Sequence, residues 1–154
     1  MQSEPELNQA LGKALGGSTL PAENQDLIRA LVLLWHDHLE PAHVIAQSVE
    51  NADGAFVHGI MHRREPDFSN AAYWFRRVGE HPAFEPLAER VAGMIESGKE
   101  RSLQNLISKG TWDPFAFIRA CEQAKRSAIS DRELREVQRN EFEVLLNWLC
   151  RAES

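Results

Sequence analysis

Apolar residues recur along the chain at helical spacing, and few segments alternate with period two, so the pattern predicts an all-α fold. Leu7, Leu11, Ala14 and Leu15 form one stripe ended by Gly16-Gly17, which predicts a short amphipathic helix over 4–15. From Asp26 the run Leu27-Ile28-Arg29-Ala30-Leu31-Val32-Leu33-Leu34-Trp35 is apolar nearly all round, the signature of a buried central helix, about 26–37. Pro41 predicts a break at 37–40 with a new helix starting near it. Asn51-Ala52-Asp53-Gly54 reads as a turn, and Ala55–Arg64 as a helix stopped by Pro66. Asp67 or Ser69 caps a helix over 69–78 that closes at Gly79. Further helices are marked by Pro86 with Leu87, Val91, Met94 and Ile95, and by Asp113-Pro114 with Phe115, Ile118 and Cys121. Leu103, Leu106 and Ile107 suggest one more short turn between these two. Ser130 and Glu133 have capping-box spacing ahead of a last helix carrying Leu134, Val137, Phe142, Leu145, Trp148 and Leu149. The expected architecture is a bundle of about six to eight helices, with residues 1–154 forming one domain and no repeat or long linker.

Composition narrows the function classes. The 154 residues carry a net charge of -6 and are 43 % hydrophobic, enough for a core that needs neither metal nor disulfide to fold. Any metal is then functional. An acidic balance opposes long nucleic acid as a partner, because such binding rests on cations facing phosphates. Cys121 and Cys150 have no CxxC spacing, the start is acidic without an apolar signal core, and no run approaches the roughly 20 apolar residues of a membrane span. These features predict a cytoplasmic protein without a membrane partner.

The chemistry is concentrated in one region, since all six histidines lie between positions 36 and 81. His36-Asp37-His38 with Glu40 and His43 emerges at the end of the central helix, where a rigid element can hold side chains toward a cleft. His58 and His62 are one turn apart on one helix face, with Glu65 joining them if the helix persists. Two imidazoles and a carboxylate with an open position form a familiar divalent-metal set, to which His36, His38, Glu40 or His43 could add a ligand. The glutamate that follows the first histidine in zinc proteases is missing, which excludes that reading. By helical-wheel geometry the pair lies roughly 130° from the centre of the apolar face of its helix, flanking the core. The arginine pairs Arg63-Arg64 and Arg76-Arg77 end two consecutive helices, with Asn70, Tyr73 and Trp74 between them. Guanidinium forks attract anions and aromatic rings offer stacking faces, so these seven residues are candidates for a phosphate or carboxylate ligand. The four arginines read equally as structural ion pairs with Glu65, Asp67, Glu80 and the acidic stretch upstream. No Gly-x-Ser-x-Gly elbow and no glycine-rich phosphate loop is present, which argues against acyl-enzyme chemistry.

The blocks Trp35-His36-Asp37-His38 through His43, Val57-His58 through Asn70, and Tyr73-Trp74-Phe75-Arg76-Arg77 together resemble a family of hypothetical proteins of unknown function. That resemblance covers about the middle third of the chain. It implies only that the blocks belong together, and it brings no activity, cofactor or catalytic residue.

Two functional readings follow. In the first, a polar cleft binds a small anionic molecule and a divalent metal, with His58, His62 and Glu65 as metal ligands. His38, His43 or His62 then serves as general base in hydrolase- or isomerase-like chemistry, since imidazole titrates near neutral pH. In the second, the chain is a non-enzymatic helical interaction module whose His, Arg and acidic groups form a structural network. The charged last helix, with Glu133, Arg135, Glu136, Arg139 and Glu143, could also serve as a homodimer face.

Overall fold

The structure is a computed structural model, and it describes residues 2–98, 101–124 and 131–151. These residues form eight α-helices, one 3-10 turn and a minimal two-stranded ribbon. The all-α expectation holds.

Helix α1 (Glu4–Leu15) is opened by a reciprocal capping box between Ser3 and Glu6. Helix α2 (Ala22–Trp35) buries Leu27, Ile28, Ala30, Leu31, Leu33 and Leu34. It starts earlier and ends earlier than the expected 26–37, because the chain turns sharply at Asp37, whose φ is +64°. That left-handed conformation is uncommon outside glycine, and here the Asp37 carboxylate pairs with Arg64. Helix α3 (Leu39–Gln47) carries Pro41 in its first turn, where backbone donors have no intrahelical acceptor to lose.

Helix α4 (Ala52–Arg64) begins three residues before the sequence pattern suggests. The expected turn at 51–54 is instead a cap and first turn, since the Asn51 side chain accepts the Gly54 N–H at 2.8 Å. Helix α5 (Phe68–Val78) is capped by Asp67 and packs along α4. Helix α6 (Phe84–Glu96) leads to the 3-10 turn (Arg101–Leu106) and to strands β1 (Ile107–Ser108) and β2 (Thr111–Trp112). The strands pair antiparallel, Ile107 opposite Trp112 and Ser108 opposite Thr111. Helix α7 (Pro114–Glu122) is capped by Asp113, whose side chain accepts the Phe115 and Ala116 N–H groups. Helix α8 (Asp131–Leu149) crosses α2 and α6. The proposed Ser130 cap lies outside the described residues.

The core is a continuous apolar cluster running from α1 to α8, with Phe56, Phe75, Phe117 and Leu87 among its fully buried side chains. Trp112, Phe117 and Phe142 are core residues, and Phe115 and Trp148 pack at its margin. Among the described residues, no helix is long and apolar enough to cross a membrane.

Helix α4 is central in a way the periodicity alone does not reveal. Every residue from Gly54 to Arg63 is buried, because α2, α3 and α5 pack against the helix and Arg63 at its end meets Phe117 of α7 and Glu141 of α8. Glycine makes the α4–α5 approach possible: a Cβ on Gly59 would stand 2.5 Å from the Phe75 ring. The histidines of α4 are therefore inside the protein.

Candidate functional site

His58 and His62 are one turn apart on α4, 3 % and 7 % exposed. Half-buried His43 reaches them from α3, its ring edge-on to both, with centroids 5.0 Å from His58 and 5.7 Å from His62. One ring nitrogen from each residue can be chosen so that all three atoms lie within 4.8 Å of one another. The His58 and His62 rings are nearly parallel, 9° apart, and the Trp74 indole stacks on His58 at 3.9 Å and 5°. Trp74 and His58 thus form a flat wall that holds the imidazole plane fixed.

Burial governs the electrostatics. Removal from water, reinforced by the neighbouring His43 and His62, pushes the His58 pKa from 6.5 down to about 4. His62 is also pushed down, again chiefly by burial, while the Glu65 carboxylate partly opposes the shift. Glu65 Oε1 lies 3.0 Å from His62 Nδ1, close enough for an ion pair but off the line of a good ring hydrogen bond. At neutral pH the cluster presents His58 and His62 uncharged, the form in which imidazole ligates a metal.

The donors are all imidazole nitrogen, which suits zinc, copper, nickel, cobalt or iron and ill suits magnesium or calcium. A tetrahedral ion with bonds of about 2.0–2.1 Å needs nitrogens roughly 3.3 Å apart. The 4.8 Å spread therefore requires closure by about 1.5 Å, within reach of a side-chain rotation at half-buried His43.

His43 and His58 also line an open cleft of about 600 Å³, whose lining does not include His62. The rest of its lining includes Trp74 and Arg77 from α5 and Gln47, Glu50 and Asn51 from the α3–α4 junction. A volume of this order is typical of small-molecule sites.

The structure gathers only part of the expected site. His43, assigned above to proton chemistry, stands with His58 and His62 as a potential metal ligand, whereas Glu65 contacts His62 from outside that group. His38 is elsewhere: its Nε2 lies 2.9 Å from the Gln2 carbonyl, and neighbouring His36 Nδ1 accepts the Gln2 N–H at 3.3 Å. Arg63 is no ligand for an anion, being 3 % exposed with both terminal nitrogens on the fully buried carboxylate of Glu141, at 3.0 and 2.5 Å. It also donates to Gln138 and lies 4.3 Å over the Phe117 ring. Arg64 is likewise engaged, donating to the Leu34 carbonyl at 2.6 Å and to Asp37. It closes the free C-terminal end of α2. Asn70 bonds to Asp67 within the α5 cap. Arg76 faces a different groove, with Phe75, Phe84 and Phe115, because successive helix positions diverge by about 100°. Tyr73 is exposed and accepts a hydrogen bond from Arg77 at 3.3 Å. Of the arginines proposed for a ligand, Arg77 alone lines the cleft.

Sequence reasoning missed Gln47, Glu50 and Asn51, which sit at the α3–α4 junction and carry no motif. It also missed a second polar cluster in which Asp53 accepts from His81 Nε2 at 2.6 Å and Trp148 Nε1 at 2.9 Å. His81 Nδ1 in turn accepts the Ala83 N–H at 3.0 Å, so this histidine is fully partnered and ties α4 to the start of α6. Burial raises the Asp53 pKa, but the hydrogen bonds from His81 and Trp148 outweigh it and leave the carboxylate below its ordinary value.

Comparison of the chain with protein-family models, curated proteins and solved structures finds no match to any of the three.

Proposed function

We propose that His43, His58 and His62 bind one divalent transition-metal ion beside the cleft, and that the protein uses it on a small anionic molecule. The observation that carries this reading is the convergence of three imidazoles from α3 and α4, with ligand atoms within 4.8 Å, beside an open cavity. Three protein ligands leave a coordination position open, and an ion so held polarises a bound oxygen as a Lewis acid. Hydrolysis or isomerisation of a small ligand fits such chemistry, and Glu65 acts on His62 as a supporting carboxylate. Cys121 and Cys150 are unpaired, which suits a cytoplasmic setting.

The rival reading, a helical interaction module in which the histidines only pack, draws on the close Trp74–His58 stack and on the carboxylate partners of Arg63 and Arg64. Metal content and stability together separate the two. Purified without chelator, the protein is expected to take up about one equivalent of zinc or cobalt, and His58→Ala with His62→Ala to lose it. The metal-free melting temperature of His62→Ala should stay near or above the wild-type value, as is common where a site is held for function. No metal uptake, together with a sharp fall in melting temperature, would establish the packing role instead.

A further inference from the structure

The cleft contains a second device, which concerns what the metal would act on, and the inference rests on the metal reading above. Arg77 is the one of the four candidate arginines that lines the cleft. Arg63, Arg64 and Arg90 each end on a carboxylate, whereas Arg76 and Arg77 are in no ion pair among the described residues, and Arg76 faces other grooves. Arg77 is held instead by aromatic groups. Its guanidinium stands 5.4 Å from the Trp74 ring centre and 5.8 Å from that of Tyr73, and it donates to Tyr73 Oη at 3.3 Å. The Trp74 that supports Arg77 is the ring that stacks on His58, so cation, indole and imidazole are fixed relative to one another along one wall. Such support leaves the charge of the cation unspent and reduces the ordering cost of engaging an anion.

We infer that Arg77 anchors the oxyanion of the ligand, a compact phosphate monoester that places one oxygen at the metal and another on the guanidinium fork. Planar guanidinium recognises phosphate through paired N–H donors. Charge sets the class. A divalent ion and Arg77 against the Glu50 carboxylate leave the cleft with an excess of two positive charges, which a phosphate dianion neutralises and a monocarboxylate does not. Glu50, in the same lining, opposes longer polyanions.

The test uses the whole chain, loaded with one equivalent of cobalt(II) and freed of excess metal, and titrates inorganic phosphate and acetate by calorimetry. Cobalt absorption reports occupancy independently. Saturable phosphate binding is expected, at least tenfold tighter than acetate. Arg77→Ala should weaken it at least tenfold, Arg77→Lys should restore part of the loss, and Arg76→Ala, on a separate groove, should change nothing. Equal phosphate affinity in wild type and Arg77→Ala, with cobalt bound, would overturn the anchor while leaving the metal centre standing. Acetate binding as tight as phosphate would overturn the phosphate class. If cobalt does not load, the metal reading falls. Arg77-dependent phosphate binding to that metal-free protein would then preserve the anchor, and its absence would remove both.

Discussion

The buried histidines make a quantitative prediction about acid. In the folded protein the His58 pKa lies near 4, and in the unfolded chain it returns to about 6.5. Between those values the unfolded chain binds more protons, so stability is fully present above pH 6.5 and is lost as pH falls toward 4. The full span corresponds to about 3 kcal/mol at 1.36 kcal/mol per unit, and the interval from pH 7 to pH 5 takes about 2 kcal/mol of it. Because His58 is only 3 % exposed, solvent screening does little to reduce this. For a chain of this length, about 2 kcal/mol is a fall of roughly 4–8 °C in melting temperature. The assay compares thermal unfolding of wild type and His58→Gln in chelator at pH 7 and pH 5, which cancels the other titrating groups. Wild type should lose about 4–8 °C more than the variant over this interval. Equal losses would refute the claim that the protein holds His58 neutral by burial. His62 shifts in the same direction, so His62→Gln should also flatten the pH dependence.

Two further substitutions test the frame around the site. Arg63→Ala strands the fully buried Glu141 carboxylate and should cost about 3–5 kcal/mol, read as a drop of roughly 6–20 °C in melting temperature. Loss of less than about 1 kcal/mol would show that Glu141 finds another partner or takes up a proton. Gly59→Ala drives a methyl group into the Phe75 ring and should destabilise by about 1–3 kcal/mol, while weakening metal uptake through displacement of α4 from α5. Unchanged denaturant midpoint and metal affinity in that variant would contradict the tight α4–α5 approach.

Much of the helical order is readable before any coordinates. The 4–15 helix, the interruption before Pro41 and the Asp67 and Asp113 caps are where local chemistry places them, because caps and prolines act through neighbouring residues. The histidine pair of α4 is equally legible as a one-turn repeat. What periodicity cannot show is that α4 is enclosed on all sides, since its polar residues break the apolar stripe that normally marks burial. The partner of Arg63 lies 78 residues away on α8, and no local pattern points to it. One error was avoidable: Arg76 and Arg77, adjacent on a helix, diverge by about 100° and cannot serve one cleft equally. The spacing of Tyr73, Trp74 and Arg77 already places Arg77 beside both aromatic residues.

The most direct test of the three-histidine centre is crystallographic. Crystals of the full chain soaked in zinc, with diffraction recorded on both sides of the zinc absorption edge, should give one strong anomalous peak about 2.0–2.1 Å from a ring nitrogen of each of His43, His58 and His62. His43 should be drawn inward, bringing the three nitrogens to roughly 3.3 Å from one another. An anomalous peak elsewhere, or none at the histidines while their 4.8 Å spread persists, would contradict the metal centre.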